Sequence, residues 1–87
     1  MARLDFGSAA EMAPITSIDE TYFQLGIESS TGRDGAPDLI AAHKWFNLAA
    51  ARGNPEAARY RQELAAEMSA AQIAEAQRAA REWIRVH

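Results

Sequence analysis

The sequence contains no cysteine. That excludes disulfides, thiol nucleophiles and cysteine-type zinc sites, and it fits a reducing compartment. Basic residues are too few to outweigh acidic ones: 9 Lys and Arg stand against 12 Asp and Glu, a net charge of −3. A field of that sign repels phosphate backbones, so nucleic acid is not an expected partner. No apolar run approaches the roughly 20 residues of a membrane span, and no basic segment followed by an apolar run opens the chain. No membrane association is therefore expected, and the location read from these features is cytoplasmic. Aromatic residues make up only 8% of the chain, which makes the position of each one informative. The 48% hydrophobic fraction is rich in alanine, which favours closely packed helices over a core of large side chains. With 87 residues there is room for one small domain with a limited core.

Helical spacing organises most of the chain. Residues 1–16 mix Gly7, Ser8, Pro14 and isolated apolar residues such as Leu4 and Phe6 without a period, and they read as a flexible N-terminal arm. Ser17 followed by Glu20 has the form of a capping box, and Ile18, Tyr22, Leu25 and Ser29 recur behind it, with Phe23 and Ile27 on an adjoining stripe. The breakers Gly32, Gly35 and Pro37 end that helix. Asp38 is placed to cap a second helix carrying Leu39, Ala42, Trp45, Phe46, Ala49 and Ala50 on one side. Gly53 stops it, and Asn54 with Pro55 supplies a cap and a first-turn proline for a third helix. The third helix shows an inner stripe of Ala57, Arg61, Leu64, Ala65 and Met68. Ser69 with Gln72 is a second capping box, opening a fourth helix with the stripe Ile73, Ala76, Ala80, Trp83 and Ile84. The expected fold is all-α: four helices over 17–87, forming two antiparallel helical hairpins.

Between residues 25 and 57 the pattern is more specific. Leu25-Gly26, Gly32, Asp38, Ala42, Trp45-Phe46, Ala49-Ala50, Gly53-Asn54 and Ala57 fall at the offsets of the Sel1-like repeat, a relative of the tetratricopeptide repeat. The chain resembles one full repeat of this family, followed from Pro55 to Trp83 by a degenerate second unit that acts as a cap. Ser29 stands where the family usually has tyrosine, and the family's glycine-x-glycine loop reads Gly32-Arg33-Asp34-Gly35. The resemblance implies an α-solenoid that recognises other proteins. By analogy with such repeats, Tyr22, Phe23, Tyr60 and Leu64 are candidate groove residues.

Catalytic chemistry finds little to work with. His43 and His87 are the only histidines and lie far apart in sequence; Asp34 and Asp38 lack calcium-loop spacing, and the loop glycines lack the lysine and hydroxyl of a phosphate cradle. The chain is accordingly read as no enzyme, with no cofactor and no metal. The arginines at 78, 81 and 85 are interleaved with Glu75 and Glu82, as on a solvated face. The last five residues, Trp83, Ile84, Arg85, Val86 and His87, are apolar-rich and form a second candidate protein-binding element. The expected function is a small bacterial-type adaptor or regulator. Two alternatives stand beside it. One is regulation of, or degradation by, an ATP-dependent protease such as Lon, through the C-terminal peptide. The other is homodimerisation, because an array shorter than about three repeats leaves an open end.

Overall fold

A computed structural model describes residues 17–32 and 35–87; the N-terminal arm read from residues 1–16, and loop residues 33 and 34, lie outside the described residues. Among the described residues four helices follow one another: α1 (Ile18–Thr31), α2 (Leu39–Ala51), α3 (Pro55–Ala65) and α4 (Ala70–Val86). There is no strand among the described residues, and the fold is all-α with helical-hairpin packing.

Three of the four helix starts are built as their sequences imply. The Asp38 carboxylate accepts from the Ala41 amide at 3.0 Å, and the Asn54 side-chain carbonyl accepts from the Ala57 amide at 2.9 Å ahead of Pro55 at the first turn. Ser69 and Gln72 form the reciprocal box: Ser69 Oγ accepts from the Gln72 amide at 3.1 Å, and Gln72 Oε1 accepts from the Ser69 amide at 2.9 Å. Each pair satisfies donors that a helix start leaves free. The first helix departs from expectation. Ser17 makes no side-chain cap; its hydroxyl donates instead to the Asp19 carboxylate, two residues on, so the Ser17/Glu20 box does not form. The hydrogen bond to Asp19 orients the Ser17 hydroxyl toward that carboxylate rather than toward the helix amides. The same carboxylate receives the Asn54 side-chain amide at 3.1 Å, tying the start of α1 to the α2–α3 turn.

Two glycines carry the turns. Gly32 sits at φ 73° where α1 ends, and Gly53 at φ 97° after α2, both in the left-handed region that suits glycine. The Asp38 amide then donates to the Ser29 carbonyl at 2.9 Å, returning the chain alongside α1. The two tie points, Ser29 with Asp38 and Asp19 with Asn54, sit at opposite ends of the pair and show that α1 and α2 run antiparallel.

Helix α2 is the centre of the assembly, making the principal contacts with α1, α3 and α4. Its aromatic pair explains how. Successive residues on a helix are turned by about 100°, so Trp45 and Phe46 serve different neighbours. Phe46, 1% exposed, packs against Phe23 of α1 and Tyr60 of α3, with ring centroids 5.7 and 5.4 Å away. Trp45 stacks on Tyr22 of α1 at 5.6 Å and meets Trp83 of α4 edge-on at 5.0 Å. The adjacent Tyr22 and Phe23 divide in the same way, giving one aromatic cluster toward α3 and one toward α4. Alanines 42, 49, 57, 76 and 80 are buried around these rings and allow the close approach. Helix α4 lies parallel to α2. Gln72 shares a hollow with Pro37–Ile40 at one end, the two tryptophans meet midway, and Ile84 and His87 reach Leu48 and Ala51 at the other end.

Some stripe assignments change. Ile18 and Ile84, read as inward-facing, are 42% and 61% exposed. Each lies in a terminal turn, where the partner helix has ended or diverged. Met68, read as the end of the third stripe, is buried in the α3–α4 turn, because α3 stops at Ala65. Arg61 does occupy an inner position, half-buried, and it donates to the Asn47 side-chain carbonyl.

Candidate interaction surface

Four of the candidate residues take part in core packing, Tyr22 as a buried member and Phe23, Tyr60 and Leu64 as half-buried ones. Tyr22 is buried, and its hydroxyl accepts a 3.0 Å hydrogen bond from the Trp83 indole Nε1. Phe23 meets Tyr60 edge-on at 5.2 Å, and Leu64 packs against the same core. Phe23, Tyr60 and Leu64 are each only half-buried, and Phe23 borders an open hollow with Asp19, Gln24 and Pro55.

The last turn of α4 is different. Trp83 faces inward, while Ile84 is 61% and Val86 58% exposed. Arg85 is exposed and holds Glu82 in a 2.6 Å ion pair, which at a solvated site contributes little to stability. His87 closes the helix: its amide donates to the Trp83 carbonyl at 3.0 Å, and its ring lies flat on the Trp83 indole at 3.7 Å. The candidates 83–87 thus form a folded helical end with one buried anchor and an apolar outer rim. Ile18, at the start of α1, is the third large apolar residue exposed among the described residues. Because α1 opposes α2 and α4 follows it, all three lie at the same end of the bundle.

That end also holds a pocket of about 150 Å³ lined by Tyr22, Leu48, Ala51, Arg52, Trp83, Ile84 and His87. Leu48, Ala51 and Arg52 did not stand out in the sequence. Their only signal is position, in the last turn before the Gly53 stop and so at the bundle's edge. Arg52 is exposed and has no ion pair among the described residues. Farther back along α2, Lys44 lies 4.0 Å from the Trp45 ring centroid and 5.1 Å from that of Trp83, a cation held over two indole faces. Burial holds the Lys44 ammonium below its ordinary pKa, with Asp38 acting in the opposite sense.

His43 is 3% exposed, and its Nδ1 has no hydrogen-bond partner. Helix α2 is covered by α1, α3 and α4, which seals this position. Burial lowers its pKa below 6.5, and the neighbouring Arg61 guanidinium adds to the effect. The unfolded chain therefore takes up a proton near pH 6.5 while the folded chain resists it, so stability falls as pH drops below 6.5 and levels off below the folded-state value. Urea midpoints measured at pH 7.5 and pH 5 are expected to fall in the parent and to fall less in His43→Leu. Equal losses in both proteins would assign the acid limb to other groups. Asp19, lowered chiefly by the Ser17 hydroxyl, acts only in a more acidic window, below about 3.8.

Among the described residues no cluster of three or more His, Asp or Glu is arranged to hold a metal, and no helix is long and apolar enough to cross a membrane. Set against family models, curated proteins and solved structures, the chain matches none of them.

Proposed function

We propose that this chain is a non-catalytic protein-interaction module of the Sel1-like, tetratricopeptide-related kind, a small cytoplasmic adaptor or regulator of bacterial type that meets its partner with the last turn of α4. One observation carries the reading: of the three large apolar residues exposed among the described residues, two, Ile84 and Val86, sit in that turn beside an anchored Trp83. A preorganised apolar rim loses little conformational entropy on binding. The close seating of Gly26 on Phe46 and the left-handed Gly53 agree with the roles those positions have in the repeat.

The same observation favours a narrower version, in which the partner is an ATP-dependent protease such as Lon. Proteases of that class engage apolar and aromatic terminal segments, and the chain is then either a regulator or a substrate. Deletion of Val86 and His87 is expected to abolish binding to the purified protease, or the effect on its turnover, with helicity at 222 nm nearly unchanged. Ile84→Ser, at an exposed site and so near neutral for stability, is expected to weaken binding without disturbing the helix end. Unaltered binding after both changes would reject the α4 surface. If cross-linking at native abundance recovers no specific partner at all, the module reading itself fails. If sedimentation shows a dimer that the same changes dissolve, the surface serves a second copy of the chain.

A further inference from the structure

The pocket at the open end of the bundle calls for an occupant of definite chemistry. Its walls are aliphatic at Leu48, Ala51 and Ile84 and aromatic at Tyr22, Trp83 and His87, with the Arg52 cation at its edge. A cavity near 150 Å³ is the size that accepts a benzene-like group. The complementary ligand is therefore one aromatic side chain next to a carboxylate.

This sequence carries that pair itself. Leu4-Asp5-Phe6 precedes α1, and α1 begins at the same end of the bundle as the pocket. Ser17 lies eleven positions after Phe6. Fully extended that stretch spans about 36–40 Å, and as a coil about 17–20 Å, against a helix diameter of about 10–12 Å. The tether is thus long enough to reach from α1 across to α4 and short enough to hold its end nearby. Such linkers give effective concentrations in the millimolar range, at which even a millimolar contact is about half occupied.

We infer that the pocket is filled in cis by the segment around Phe6, with the phenyl ring among Trp83, Ile84 and Leu48 and the Asp5 carboxylate facing Arg52. The inference rests on the pocket and the tether, and it stands apart from whether α4 binds a partner. Where both hold, the segment covers part of the surface that Ile84 contributes and competes with the partner for it.

A sequence without cysteine permits a clean test. A single Ala9→Cys substitution in the full chain accepts one nitroxide spin label, and the ¹⁵N spectrum reads its distance to every amide. The expected result is selective broadening of the Trp83 indole and of the Ile84–His87 amides, with signals loosened by more than half, while Ala70–Gln72 at the far end stay sharp. Phe6→Ala is expected to restore most of the lost intensity. Arg52→Glu, at an exposed residue that the fold does not need, is expected to restore part of it. No selective broadening, or broadening indifferent to Phe6→Ala, would overturn the inference. Broadening of a ¹⁵N chain without the label, mixed with an unenriched labelled chain, would also overturn it, by showing that the segment docks on a second copy.

Discussion

Replacing Phe46 with alanine is expected to lower the free energy of unfolding by about 3–5 kcal/mol, the range for emptying an aromatic site in a closed core. A domain of this size has roughly 4–13 kcal/mol in total, so the loss is enough to leave a sizeable unfolded fraction. The expectation follows from where the ring sits. It touches α1 at Phe23 and Gly26 and α3 at Tyr60, and so joins three helices at once. A Cβ added at Gly26 would lie 2.5 Å from Phe46 Cε1 and 2.6 Å from Cδ1. Gly26→Ala gains about 1 kcal/mol of helix propensity and incurs about 1–3 kcal/mol of overpacking, because a ring buried to this degree has nowhere to turn. The net effect is destabilising. In the Gly26→Ala background, Phe46→Leu should cost less than it does alone, with a coupling of about 0.5–3 kcal/mol. Strictly additive urea-denaturation energies for the pair would show that glycine and ring are not fitted to each other.

Residue type alone revealed much of this frame, and the reasons are local. Asp38, Asn54-Pro55 and Ser69/Gln72 announce helix starts because each needs only backbone groups within three residues. Gly53 announces a turn because few other residues adopt its backbone angle at low cost. Ser17 has the same appearance as Ser69 and behaves differently, because its hydroxyl donates to the Asp19 carboxylate and Asn54, 35 positions away, fixes that carboxylate. No local pattern contains the second fact. That Tyr22 turns to Trp83 while Phe23 and Tyr60 meet each other needed knowledge of which rings lie together, since a periodic stripe marks an inward face without saying what it touches. Trp83 and Ile84 share one stripe on a helical wheel, yet one anchors and the other is exposed. The difference arises where α2 ends at Ala51 and no longer covers the outer side of α4. His43 lies four residues after Leu39, three before Phe46 and seven before Ala50, so it shares the apolar stripe of α2, and the central position of that helix buries it.

Trp83→Ala is the second large effect, and its character should differ from that of Phe46→Ala. The indole meets Trp45 edge-on, donates to the Tyr22 hydroxyl, supports the His87 ring and lies within 5.1 Å of the Lys44 ammonium. Truncation removes all four contacts for about 3–5 kcal/mol, and it leaves the buried Tyr22 hydroxyl without its donor. The loss falls on one helix. Helix α4 has 17 residues, and a helix of that length is only marginally stable in water once its apolar face is released. Hydrogen exchange is therefore expected to accelerate throughout α4, while α1 and α2, still joined through Phe46, retain more of their protection. Trp83→Phe separates ring from hydrogen bond: it keeps most of the aromatic contact and loses the donor, for about 0.5–1.5 kcal/mol. If Trp83→Ala costs less than about 1 kcal/mol and α4 amides stay protected, the Tyr22–Trp45–Trp83 cluster is not what holds α4 to the bundle. The alanine stripe at Ala76 and Ala80 would then have to supply that attachment, and substituting leucine at either position would be the change that releases the helix.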